Sequence, residues 1–474
     1  MNQVPLVVDL DGTLLRSDTL FETWLSVLKA SPLTALASIS WVAKGKAFLK
    51  QRLAEESNVD VALLPFNSSV LEMMHSASDA GRPVVLATAT HKIYADRIAA
   101  YLGGFHDVIA TEDEVNLSSH RKRDVLVARY GSKGFDYVGN SRDDIAVWKE
   151  AREVHIVEPH RGVVRRASDN GHVHSVTADA TPKWRTWVKA LRLHQWIKNL
   201  LIFVPLLASH RLAEVPMIGT GILAFIAFGL CASSVYVLND LLDLADDRQH
   251  TTKRNRPFAA GKLEIKHGLF AVPILLLLAF GLAALFLPLA FSLALVGYYI
   301  ATLLYSLWLK RQMMVDVVTL GVLYTCRIIA GALAFQIALT FWMLAFSMFM
   351  FLSLALVKRY AELSDARRRG KEGQTRGRGY FPDDLEMISS LGAASGYIAV
   401  MVLALYIQEQ NIIALYRHPE VLWLSCPLLL FWVSRTWMLT HRGEMHDDPI
   451  VFAVKDRVSL VVGALFGIIF WIAT

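Results

Sequence analysis

Cysteine is scarce: 474 residues hold only Cys231, Cys326 and Cys426. All three fall in apolar runs, which argues against a disulfide framework and against a cysteine metal cluster. A cleavable signal peptide is not expected either. MNQVPLVVDLDGTLL has no basic leader and turns acidic early. Charge is missing over long stretches: residues 217–238 carry none, nor do residues 268–309. Roughly 20 apolar residues cross a bilayer core of about 30 Å, so these runs exclude a wholly soluble chain. The net charge of +6 is no nucleic-acid signature, because the bases lie in short loops between apolar runs.

What is present divides sharply. Residues 1–185 read as an ordinary soluble sequence, and apolar runs dominate from about Asn199 onward. Nine spans are expected, at about 194–210, 217–238, 268–286, 288–308, 314–334, 341–357, 388–407, 421–438 and 458–473. With the N-terminus inside, the loops 248–266, 309–311, 358–378 and 435–457 face the cytoplasm. They hold 20 Lys or Arg, against 2 in the opposite loops. That bias predicts a multi-pass inner-membrane protein whose N-terminal domain is cytoplasmic.

PLVVDLDGTLLRSDT is a short apolar strand ending in Asp9, Asp11 and Gly12. Open α/β sheets place ligands at this end of a strand. Asp9 suits attack on phosphorus, and Asp11 suits movement of the leaving-group proton. PVVLATAT at 83–90 ends in hydroxyls, FDYVGNSRDD at 135–144 ends in acids, and Lys122 lies between them. In this order the motifs of residues 1–160 resemble the haloacid dehalogenase (HAD) superfamily. The resemblance implies an α/β, Rossmannoid domain with a helical cap over 15–80. It implies Asp9 as nucleophile, Asp11 as acid/base, Thr88 as phosphate-binding hydroxyl and Lys122 as charge stabiliser. Asp9, Asp11, Asn140 and Asp144 would hold Mg²⁺. Asn140 stands where that family has Asp, which removes one negative charge from a hard-cation site. Residues 161–186 read as a linker and an interfacial segment. KWRTWVKALRLHQWIKN, which begins there, suits a helix at headgroup level.

NDLLDLADDRQHTTKRNRPFAAG, residues 239–261, follows directly on an uncharged span. Asp240, Asp243 and Asp247 share one helix face, with Asn239 beside them. Three carboxylates on one face predict a shared Mg²⁺ carrying a diphosphate, with Lys253, Arg254 and Arg256 on the remaining phosphate oxygens. A second polar set comprises Tyr305, Lys310, Asp316 and Arg327. Asp316 and Arg327 point to one side of a helix, some 16 Å apart along its axis. A charge that deep is a functional candidate.

These two sets resemble the UbiA superfamily of membrane prenyltransferases over residues 187–474. The resemblance implies an all-α polytopic bundle of about nine transmembrane helices. LHQWIKNLLIF, TKRNRPFAAG, LVKRYAEL and HDDPIVFAVKDRVS narrow it to relatives of decaprenyl-phosphate phosphoribosyltransferase. The implied reaction moves 5-phosphoribose from phosphoribosyl diphosphate onto a polyprenyl phosphate. Asn239, Asp316 and Tyr305 would position the sugar or a second metal. Three phosphates need many cations, and Lys198, Lys253, Arg254, Arg256, Lys310, Lys358, Arg359, Lys455 and Arg457 lie close to the spans. The alternatives are prenyl transfer from a polyprenyl diphosphate to an aromatic acceptor, and a non-catalytic carrier. The expected partners are lipid, phosphoribosyl diphosphate or an aromatic acceptor, and the bilayer, with no nucleic acid.

Overall fold

The computed structural model describes residues 3–112, 115–168, 173–178, 182–211, 213–370, 373, 378–409, 416–445 and 448–474. Its chain forms two compact units, Met1–Leu191 with Tyr236–Val272, and Arg192–Val235 with Pro273–Thr474.

The first unit holds a six-stranded parallel sheet. Its strands are β1 (Leu6–Val8), β2 (Val84–His91), β3 (Asp107–Thr111), β4 (Asp136–Gly139), β5 (Val154–Val157) and β6 (Val173–Thr177), in the order β3-β2-β1-β4-β5-β6. β1 is central and wholly buried, with Val7 opposite Val85 on one side and Tyr137 on the other. Continuous apolar runs such as LVV suit strands covered on both faces. Because β1, β2 and β4 run parallel, their carboxyl ends share one edge of the sheet. Between β1 and β2 the chain is helical, through α1 (Thr19–Ala30), α2 (Pro32–Trp41), α3 (Lys46–Glu56) and α4 (Ser68–Asp79). The cap predicted over 15–80 is thus present as helices, and Val27, Ala35 and Leu53 form its small core.

The segment read as a linker is more ordered than expected. It carries the helix Val163–Ser168 and β6, which pairs with β5, so the sheet continues past residue 160. Five residues of edge strand are too short to display a period, which is why the sequence hid it. Residues 169–172 and 179–181 of that segment lie outside the described residues. The helix Lys183–Ala190 follows. Its Trp187 meets Phe258 edge-on at 6.4 Å, and Ala190 packs with Leu241 and Phe258. Half of its expected interfacial face is therefore used inside the unit.

The second unit is helical. Among the described residues of the chain, seven helices are long and apolar enough to cross a membrane. Pro449–Lys455 and Arg457–Ala473, bent by 82°, are together long and apolar enough to count as an eighth if the pair is one span. The short segment Leu193–Ala208 makes up the nine apolar stretches expected. It is no regular crossing. Leu193–Phe203 is wound as a 3₁₀ helix before Val204–Ala208 turns α-helical. It lies tightly against Val315–Phe335, where a Cβ on Gly331 would come within 2.0 Å of the Ile202 carbonyl oxygen. The largest apolar core joins Phe341–Arg368, Leu385–Ile407 and Ser425–Arg442 through Leu356, Ile388, Val433 and Trp437. Of the expected loops, residues 371–372, 374–377, 410–415 and 446–447 lie outside the described residues. The last pair includes His446 and Asp447 of the HDDPIVF motif.

Candidate active sites

The first site sits at the carboxyl edge of the sheet. Asp9 follows β1, and its amide donates to the Val138 carbonyl (3.0 Å), which fixes it beside β4. Lys122 donates to Asp9 Oδ1 (2.7 Å) and to the Tyr137 hydroxyl (3.0 Å). Burial pushes the Asp9 carboxyl up to about 7, with Lys122 pulling it down and Asp144 adding repulsion. Asp11 accepts from the Thr19 amide (2.8 Å) and the Thr90 hydroxyl (2.6 Å). Gly12 has φ +76°, and a Cβ there would lie 2.2 Å from Asn140 Nδ2. Only glycine lets the two loops approach so closely.

Three expected residues fare differently. Asn140 is buried, and its Oδ1 has no hydrogen-bond partner. Asp144, expected on a metal, is already engaged. Its Oδ2 accepts from the Asn140 amide (3.1 Å), the Ser141 amide (2.9 Å) and the Ser141 hydroxyl (3.0 Å), and its Oδ1 accepts from Tyr137 (2.9 Å). Its Oδ2 shapes the loop that carries Asn140. Thr88, expected on phosphate, is fully buried and accepts from the Thr90 amide (3.0 Å). Two residues on, the Thr90 hydroxyl donates to Asp11 (2.6 Å).

A cavity of about 560 Å³ opens over Asp9 and Asp11. Lys50 lines it from the cap, donating to the Ala89 carbonyl (2.6 Å) and Asn116 (3.0 Å). Burial lowers the Lys50 pKa, with Asp11 and Asp18 opposing. Thr19, Thr90, Lys50 and Tyr137 were not singled out from the sequence. Only the terminal hydroxyl of VVLATAT gave a signal for any of them.

The acidic stretch departs from one continuous helix. The helix Val215–Leu242 stops, Asp243 sits at the break with φ −98° and ψ 15°, and a new helix runs Leu244–Gln249. Asp240 and Asp247 converge, but on Arg256, whose Nη1 lies 3.2 Å from Asp240 and 2.7 Å from Asp247. Burial raises the Asp247 carboxyl, with Arg256 opposing. Among the described residues no three His, Cys, Asp or Glu side chains gather closely enough to hold a metal. Lys253 and Arg254 stand exposed beyond the cluster.

The second unit holds two buried ionic clusters. In one, Asp448 takes Lys198 (2.7 Å), Lys358 (3.4 Å) and the Tyr324 hydroxyl (3.1 Å). Lys358 and Lys198 depress the Asp448 carboxyl far below the ordinary range against the cost of its burial. In the other, Asp316 binds Arg359 (2.6 Å), Arg378 (3.6 Å) and the Tyr380 hydroxyl, and Arg378 also donates to Tyr305 (2.9 Å). Asp316, expected to position sugar or metal, is the counter-ion of Arg359 and Arg378. Arg327, expected to serve an anion, is bonded to Asn199 (3.2 Å), the Leu323 carbonyl (2.5 Å) and Tyr298 (2.9 Å). Phe228, Tyr298 and Tyr324 also surround its guanidinium at 5.0–5.6 Å. A cation this deep must be paired, and here the helices pair it. Lys455 and Arg457 are exposed, and Lys310 is half-buried, outside both clusters.

The UbiA prenyltransferase family model matches residues 201–455, more than half the chain. The chain belongs to the UbiA prenyltransferase family. Residues 6–149 of this UbiA protein match the haloacid dehalogenase-like hydrolase family. An uncharacterized protein, y4nM of Sinorhizobium fredii, is 36% identical over 99% of this chain and 91% of its own length. Decaprenyl-phosphate phosphoribosyltransferase of Mycobacterium tuberculosis is 30% identical over 60% of this chain and 92% of its own. A UbiA homolog from Archaeoglobus fulgidus, solved bound to GPP and Mg²⁺, aligns with TM-score 0.46 at 16% identity, covering 61% of this chain and all of that one. The protein is therefore an integral membrane enzyme of the UbiA transferase type, with a HAD-like domain in front.

The donor sets fit hard cations in kind. In the HAD-like site, Asp9, Asp11 and the unsatisfied Asn140 Oδ1 suit Mg²⁺. In the UbiA motif, Asp240, Asp243 and Asp247 offer only oxygen, and Arg256 lies against Asp240 and Asp247.

Proposed function

We propose that this UbiA protein transfers 5-phosphoribose from phosphoribosyl diphosphate to a polyprenyl phosphate, and that its HAD-like domain then removes the 5-phosphate. The observation that carries the first step is the gathering of Lys198 and Lys358 around a single Asp448, with Arg359 and Arg378 beside Asp316 and Glu362. An aromatic acceptor does not call for them, whereas a 5-phosphate and a lipid phosphate do. The mycobacterial phosphoribosyltransferases add support by their similarity.

In the transfer, the bond from ribose C1 to the diphosphate oxygen breaks, and a lipid phosphate oxygen bonds to C1. Diphosphate leaves with the electron pair. The lipid phosphate is already ionised, so no strong base is required. Asp240, Asp243 and Asp247 would hold Mg²⁺, which supplies charge to the leaving diphosphate. Arg256, released from the carboxylates, would pair with phosphate oxygen. Asn239 and Tyr305 lie on the motifs that carry the sugar.

In the hydrolysis, Asp9 attacks phosphorus and the bond to the ribose 5-oxygen breaks. Asp11 protonates that oxygen. Asp11 then takes a proton from the water that cleaves phospho-Asp9, and inorganic phosphate leaves. Lys122 holds Asp9 in place, and Asn140 would help hold Mg²⁺. The bias of 20 basic residues to 2 supports a cytoplasmic placement of the N-terminal domain.

The test is incubation of purified protein with labelled phosphoribosyl diphosphate and polyprenyl phosphate, followed by lipid extraction. Label in the lipid with release of diphosphate supports the reading. Label absent here, with transfer from a polyprenyl diphosphate to an aromatic acid, would favour the aromatic reaction. No substrate-dependent diphosphate release in either assay would favour a carrier.

A further inference from the structure

The HAD-like cavity has a wall that lies outside the HAD-matched residues. Lys183 lines it from the helix Lys183–Ala190, and Lys262 and Lys266 line it from the segment that follows the acidic motif. Residues 6–149 carry the catalytic set, so these three lysines are additions to it.

The segment is firmly built in. Arg248 makes a buried bidentate pair with Glu22 of α1 (2.6 and 3.1 Å), and its Nε donates to the Ala259 carbonyl (3.1 Å). Gly261 has φ +67°, and a Cβ there would lie 2.6 Å from Arg16 Cβ. Phe258, Ala259, Leu263 and Ile265 share an apolar cluster with Leu25. Glu264 orients Lys266 (2.5 Å) and lies 3.7 Å from His160. A cavity of about 560 Å³ far exceeds one phosphoryl group and falls in the size range of pockets for whole small molecules.

We propose that this wall is a second anion subsite. The cavity takes a sugar phosphate that carries another phosphate group, with the scissile phosphate at Asp9 and the second at Lys183, Lys262 and Lys266. This rests on the phosphatase reading above. The shared chemistry is a pentose 5-phosphate with a phosphate on C1. It has two sources, the phosphodiester of a lipid-linked sugar and a soluble sugar bisphosphate.

Phosphate release is measured for the full chain in detergent with ribose 5-phosphate, ribose 1,5-bisphosphate and 5-phosphoribosyl polyprenyl phosphate. The wild type is expected to prefer a two-phosphate substrate over ribose 5-phosphate in kcat/KM. Lys262→Met with Lys266→Met is expected to reduce that preference roughly tenfold, through KM, as loss of charge-assisted contacts implies. Lys262→Arg with Lys266→Arg is expected to retain it, which separates charge from folding. Preference for the lipid assigns the subsite to a phosphodiester, and preference for the bisphosphate assigns it to the soluble source. Hydrolysis with no preference, or a preference that the Met variants leave intact, overturns the subsite alone. A chain that makes the ribosyl lipid but hydrolyses none of the three overturns the phosphatase reading, and the subsite with it.

Discussion

Single residues show how burial decides what a charge does. Asp240 is 2% exposed and Arg327 is 4% exposed, yet their partners differ in kind. Asp240 shares Arg256 with Asp247, a cation on the segment proposed to hold the diphosphate. Asp240→Asn is expected to lower transfer by roughly 10²–10³, the scale for removing one electrostatic contributor to a transition state. Diphosphate release per folded protein at limiting Mg²⁺ checks this, and near-normal turnover would refute it. Arg327 instead bonds to a side-chain amide, a carbonyl and a phenol. Arg327→Met is expected to cost a few kcal/mol of stability, on the order of two hydrogen bonds to a charged group. The folded fraction is expected to keep its kinetics. Thermal unfolding in detergent together with turnover separates the two effects. Both residues stood out in the sequence because a charge in an apolar run always does. The partners of Arg327 did not, since Asn199 and Tyr298 are ordinary residues in distant apolar segments. Asp448 was missed although its motif was visible, because nothing local marks it as the centre of a cluster.

At the scale of elements, period and spacing revealed the long helices, the central strands and the order of motifs. They concealed whatever depends on a break or on an edge. The acidic motif read as one helix, and a turn at Asp243 divides it, although Asp240 and Asp247 still meet on Arg256. β6 is an edge strand with alternating exposure, and five residues cannot announce it. The first apolar stretch looked like a span, but its backbone lies directly against Gly331. Gly331→Ala is therefore expected to push Leu193–Phe203 away from Val315–Phe335, since small residues allow helices this close. The expected readout is a lower unfolding temperature and increased protease cleavage near residue 200. An unchanged profile would mean that the contact is not tight. Arg248 tests a different element. Its pair with Glu22 is buried on both sides, at 8% and 6% side-chain exposure. Arg248→Met leaves Glu22 with only the Ser17 hydroxyl among these partners. Breaking such a pair costs about 3–5 kcal/mol. The expected result is a loosened cap, seen as faster amide exchange in Thr19–Ala30, whereas a double change with Glu22→Gln is expected to recover part of the loss.

For the whole molecule, the question is what one chain gains from two enzymes. The proposed transfer yields a lipid-linked ribose that still carries its 5-phosphate. A donor of unphosphorylated pentose requires that group to be removed. Tethering raises the local concentration of product for the second site without any new contact. The acidic motif and the lysines at 262 and 266 also belong to one continuous segment, so the two chemistries share sequence as well as a chain. The decisive comparison supplies phosphoribosyl diphosphate and polyprenyl phosphate to the wild type and to Asp9→Asn. Asn at position 9 keeps an oxygen for Lys122, and Lys122 still donates to Tyr137, so the variant is expected to keep its fold. The wild type is expected to accumulate dephosphorylated ribosyl lipid together with inorganic phosphate. Asp9→Asn is expected to accumulate the phosphorylated ribosyl lipid at an undiminished rate of diphosphate release. Identical lipid products from the two proteins would sever the proposed sequence of reactions and leave the HAD-like domain to another substrate. A matching fall in diphosphate release in the variant would show instead that transfer waits on hydrolysis.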